Sequence, residues 1–86
     1  MNDGLGDREL SDMLIRIDEA IRLVQSQLDV IKGTIGSCEN IVSANYMECI
    51  PAVSIADVEA MRLMELNVNL IKLIHDLKDH VYLKHL

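Results

Sequence analysis

The chain has no tryptophan and no phenylalanine, and only two tyrosines, one proline, four glycines and two cysteines in 86 residues. Without those aromatics it lacks the stacking platforms on which bases dock. Two cysteines are too few for a disulfide scaffold, which points to a reducing compartment and a cytoplasmic location. Bases are scarce as well: 8 Lys and Arg stand against 14 Asp and Glu, a net charge of −6. A nucleic-acid binder needs a concentrated basic face, and an anionic lipid surface attracts polybasic segments. Neither nucleic acid nor membrane is therefore an expected partner. No apolar run approaches the ~20 residues of a membrane-spanning helix. The start, MNDGLGDREL, is acidic and polar, unlike a signal peptide.

Catalytic and cofactor motifs are equally thin. Gly33-Thr34-Ile35-Gly36 lacks the lysine and the strand of a phosphate loop. No Glu-x-x-His pair of the di-iron bundle type occurs. No cofactor and no enzymatic activity are expected.

What the chain does have is apolar periodicity, in a composition that is 50% hydrophobic and 26% charged, as in globular domains. The length allows one domain, residues 1–86, with 1–6 as a flexible start that holds Gly4 and Gly6. From Leu10, the residues Leu14, Ile17, Ile21, Val24, Leu28, Ile31, Ile35, Cys38 and Val42 follow at alternating steps of four and three. A strand needs period two; a sustained 3.5 period puts one seam along a helix and favours a partner helix. This predicts a helix over about 8–47. Gly33 and Gly36 fall off the seam, and a break into two helices at Gly33 is the alternative.

Pro51 cannot sit in a helix interior and disfavours helical angles at Ile50. The chain is thus expected to turn at about 48–54. Ser54 then serves as N-cap with Asp57 three residues on, and a second helix runs over about 55–85. On it Arg62, Glu65, Asn69, Lys72, Asp76 and Asp79 draw one narrow wet stripe. Nearly everything else up to Leu77 is apolar, roughly twice the ~100° arc of an ordinary surface helix.

The expected fold is all-α, a long antiparallel helical hairpin. Two rods side by side cover only one stripe of each other, so more apolar surface is present than a lone hairpin hides. Pairing of two copies into a four-helix bundle covers the excess; a helical protein partner would do the same. Expected contact residues are Leu23 and Val30 on the first arm and Met61, Met64, Asn67, Val68 and Ile71 on the second. Asn67, inside the apolar arc, is a candidate register-setting amide. The expected function is a non-enzymatic protein–protein interaction module: a small cytoplasmic adaptor, regulator or chaperone.

The alternative is a metal-binding helical bundle using His75, Asp76, Asp79 and His80 near the C-terminus. His75, His80 and His85 recur every five residues and diverge by about 140° from one to the next, so they share no face within one chain. Cys38 belongs to the seam as a small buried residue, and Cys49, beside Pro51, is expected to be the more exposed thiol.

Overall fold

The computed structural model describes the backbone of residues 3–39 and 46–85, and the side chains of residues 8–38 and 47–83. Helix α1 spans Asp3–Glu39, a 3-10 turn spans Tyr46–Cys49, and helix α2 spans Ile50–His85. The two long helices pack against each other along their length as an all-α hairpin. Its extents are 68 × 16 × 14 Å. A rise of 1.5 Å per residue makes each helix about 55 Å long, so the helices account for most of the long axis.

The boundaries differ from those read in the sequence. The first helix begins at Asp3 and takes in Gly4 and Gly6; it runs to Glu39, short of the expected end at 47. Val42, the last residue of the expected seam, lies outside the described residues. The expected turn at 48–54 is helical instead: the 3-10 segment ends at Cys49 and α2 starts at Ile50. Pro51 therefore lies in the first turn of α2. There its missing N–H has no intrahelical partner to lose, and its fixed φ suits the helix. Ser54, expected as the N-cap, lies inside α2 rather than ahead of it.

The break at Gly33 does not occur, and α1 is continuous through Gly33 and Gly36. Neither glycine adopts positive φ, and a Cβ built at either meets nothing within 4 Å. Thr34 and Ser37 turn their hydroxyls back on the helix, donating to the carbonyls of Val30 and Thr34 at 3.0 and 2.7 Å. These local bonds do not interrupt the helix.

The seam between the helices is narrow. The buried residues are Ile17, Ala20 and Cys38 from α1, Ala56 from α2, and Cys49 from the turn. On α1 the half-buried positions Leu10, Met13, Val24, Gln27, Ile31 and Thr34 complete the seam. The heptad set Leu10, Ile17, Val24, Ile31 and Cys38 thus faces α2 as its period requires. The neighbouring column, however, is Met13, Ala20, Gln27 and Thr34 rather than Leu14, Ile21, Leu28 and Ile35. The helix is turned by about 50° from the position at which all the large residues would face inward. Ala20 and Ala56, small and buried, sit on the contact line. On α2 the matching column runs through Ala52, Ala56, Glu59, Leu63, Leu66, Leu70, Leu73, Leu77 and His80.

Three interhelical approaches mark the register. Gln27 Nε2 donates to the Glu59 carbonyl oxygen at 2.8 Å. Cys38 and Cys49 face each other at the closed end. At the open end His80 Nδ1 lies 4.0 Å from Glu9 Oε1. The remaining ion pairs, Arg22 with Asp18 and Arg62 with Glu65, are exposed and lie within one helix, where such pairs contribute little.

Gly33 and Gly36 occupy helical positions with room for a methyl group, so replacement by alanine removes an entropic cost and adds no clash. Gly33→Ala and Gly36→Ala are each expected to stabilise the chain by about 1 kcal/mol. Urea unfolding followed by circular dichroism measures this; a loss of stability in both variants would contradict a continuous α1.

Candidate functional site

Turning α1 away from its largest residues has a direct consequence. Leu14, Ile21, Leu28 and Ile35 move to one flank of the seam, with Leu14 and Leu28 each 49% exposed. The bond from Gln27 to Glu59 fixes the register, and Leu28 and Ala60 line one groove across the seam. On α2 the positions of Ala60, Met64, Asn67, Ile71 and Ile74 fall within an arc of about 80°. Val24, Leu28, Ala60, Leu63, Met64 and Asn67 together line an open groove of about 370 Å³ on this side. Met64 is 62% exposed on its rim.

The opposite flank is wetter. A shallower groove of about 250 Å³ is lined there by Arg16, Glu19, Ala20, Leu23, Asn69 and Leu73. The wet stripe of α2, with Arg62, Glu65 and Lys72, borders the same side. One face of the hairpin is thus apolar from helix to helix, and the other is broken by charges.

The seven expected contact residues divide between these surfaces, and all seven are exposed. Met64 and Asn67 line the apolar groove, and Ile71 extends it along α2. Met61 and Val68 lie further round α2, on its outer side, within about 80° of Met64 and Ile71. Leu23 lines the wetter groove, and Val30, one heptad on, shares its side of α1. The structure therefore brings together the α2 set and separates Leu23 and Val30 from it. Asn67 is an exposed groove residue, not an amide buried within the hairpin.

Sequence reasoning missed the α1 contribution to this face. Leu14, Ile21, Leu28 and Ile35 were assigned to the seam, and their i, i+7 spacing serves a flank equally well. It also missed the polar residues inside the seam. Glu59 Oε1 and His80 Nε2 are buried with no hydrogen-bond partner. His80 has a side chain only 14% exposed. The step from Leu77 to His80 is the same step of three that carries the seam, and that was its one available signal. Lys78 behaves as a residue near a helix end, its Nζ 5.6 Å from the centre of the Tyr82 ring.

His75, Asp76, Asp79 and His80 do not converge. Among the described residues no group of three or more His, Cys, Asp or Glu side chains is placed to hold a metal ion. No described helix is long and apolar enough to cross a membrane.

The closed end carries the other chemically distinctive feature. Cys38 Sγ lies 3.7 Å from the Cys49 carbonyl oxygen, and Cys49 Sγ lies 3.6 Å from the Cys38 carbonyl oxygen. Both thiols are free and buried, so Cys49 is not the more exposed one that its place beside Pro51 suggested. Its position in the 3-10 turn, ahead of α2, aims it back at α1. Hydrogen bonding to the Cys38 side chain, then burial, then the negative charges that Cys38 and Glu48 can carry push the Cys49 thiol up to about 11.

A thiol whose pKa is raised on folding contributes stability while it stays protonated. That contribution is complete below its ordinary value of 9.0 and is lost as pH rises toward about 11. Unfolding free energies of the native chain and of Cys49→Ser, measured from pH 8 to pH 11, are expected to differ in slope only above pH 9. Parallel profiles would contradict the placement of Cys49. Comparison with known protein families, with curated proteins and with solved structures finds no match to this chain.

Proposed function

We propose that the protein is a non-enzymatic interaction module that works by completing a helical bundle, and that its first partner is a second copy of itself. Two hairpins laid flank to flank make a four-helix bundle with Leu14, Ile21, Leu28, Met64 and Ile71 in its interior. The role this suits is that of a small cytoplasmic adaptor, regulator or chaperone, with a helical protein as the alternative occupant of the same face.

The observation that carries this reading is surface in excess. The chain exposes 6824 Å². A compact monomer of 9.7 kDa exposes about 5,100 Å² by the usual scaling of area with mass. The excess is roughly twice the ~800 Å² that each partner contributes to a standard interface. Leu14, Ile21, Leu28, Met64 and Ile71 are all exposed on one flank, and each of them left wet forgoes about 1.5–3 kcal/mol. Among the described residues, the polar side-chain atoms buried in the seam without a partner are Glu59 Oε1 and His80 Nε2. They are far apart along the hairpin.

Sedimentation equilibrium at micromolar concentration tests this. The native chain is expected to sediment as a dimer. Leu28→Lys with Met64→Lys, both exposed in the lone hairpin, is expected to weaken association at least 100-fold. Leu23→Lys on the wetter flank is expected to leave association within a few-fold of native. A native chain that stays monomeric throughout, or a Leu23→Lys effect as large as that of the flank pair, would overturn the proposal.

A further inference from the structure

Two thiols of one chain face each other across the closed end of the hairpin, and the proposed assembly makes no use of them. Cys38 belongs to the last turn of α1 and Cys49 ends the 3-10 turn that leads into α2. The pair is eleven residues apart in sequence. Each sulfur reaches the backbone carbonyl of the other residue, at 3.7 and 3.6 Å. Each side chain thus reaches across to the other residue's backbone, and both cysteines are buried.

We propose that Cys38 and Cys49 form a reversible redox clamp, an intramolecular disulfide that ties α1 to the start of α2. The oxidant is a small-molecule disulfide or a hydroperoxide. With a disulfide oxidant, one cysteine thiolate attacks an oxidant sulfur, breaking its S–S bond and releasing one thiol. The second cysteine thiolate then attacks the mixed disulfide, closing the Cys38–Cys49 bond and releasing the second thiol. The protein loses two protons and two electrons, and the oxidant gains both. With a hydroperoxide, the first thiolate attacks the terminal oxygen, which breaks the O–O bond, releases an alcohol or water and leaves a sulfenic acid. The second thiolate attacks that sulfur, forms the S–S bond and expels hydroxide, which takes up a proton as water. A dithiol reductant reverses either route.

The burial that holds the thiols reduced also sets how the clamp is reached. The thiolate is the reacting species, and both sulfurs are covered. Reaction therefore proceeds through opening of the closed end, where α1 finishes and helix ends open most easily. Once made, the bond closes a loop of about a dozen residues, which favours the folded state roughly 100-fold by loop-closure entropy. The clamp fixes the two helices in register at the end where the apolar flank begins with Ile35. It does not depend on the proposed dimer: the bond joins residues of one chain whether or not a second copy is bound.

Oxidation of the full chain with excess oxidised glutathione, and separately with hydrogen peroxide, tests this. The expected product has the mass of the chain less two hydrogens, no alkylatable thiol after denaturation, and one peptide pair linking Cys38 to Cys49. Its midpoint of urea unfolding is expected to rise, and to return to the starting value with a dithiol reductant. Cys38→Ser and Cys49→Ser are each expected to show no such rise. Stable glutathione adducts on both cysteines, chains crosslinked to one another on a non-reducing gel, or an unchanged or lowered midpoint after oxidation would each overturn the proposal. A monomeric chain that still forms the clamp would remove the dimer reading alone.

Discussion

Two long helices lying side by side touch along one line, and the rest of the structure follows from that limit. A rod has no interior, so whatever a hairpin buries it must bury in a stripe about one side chain wide on each helix. The buried residues among those described reflect this: Ile17 and Ala20 on one helix, Ala56 on the other, and Cys38 and Cys49 on either side of the tip. On α1, Ala20 and the half-buried Met13, Gln27 and Thr34 take the second column of the line, and Leu14, Ile21, Leu28 and Ile35 do not. Those residues are displaced to a single side and meet the apolar arc of α2 there.

The opposite flank is mixed rather than purely polar: Leu23, Val30, Ile55, Val58 and Leu83 are exposed there as well. Charges lie among them, through Arg16, Glu19, Arg62 and Glu65, and burying such ions unpaired costs several kcal/mol each. The two ends of the hairpin differ as well. The closed end is tied by thiol-to-carbonyl approaches, whereas the open end brings His80 toward Glu9 at the edge of ion-pairing distance.

Much of this architecture was legible in the sequence, because a 3.5-residue period has one physical meaning over so many residues. The all-α hairpin and the inward set Leu10, Ile17, Val24, Ile31 and Cys38 follow from it directly. The companion column was not legible. An apolar residue three positions on and one four positions on satisfy the same period, and the choice is made by side-chain volume across the contact line, which belongs to the partner helix. Gln27 and Glu59 enter the seam for that reason, and no periodicity argument would place them there. The turn was misplaced because proline was read as a breaker; at the first turn of α2 it is a starter, and Ser54 then has no end to cap. On α2 the residues Met61, Met64, Val68 and Ile71 are exposed, since they lie well round the helix from Leu63, Leu66, Leu70 and Leu73.

If the flank is an assembly surface, folding and association are one equilibrium. The most direct measurement is the urea midpoint of the native chain under reducing conditions, followed by circular dichroism over a hundredfold range of protein concentration. A stability that depends on a second copy rises with concentration by mass action, so the midpoint is expected to climb steadily across the series. A midpoint that stays constant over the whole range would show a hairpin stable alone with its apolar side in water, and would contradict the account.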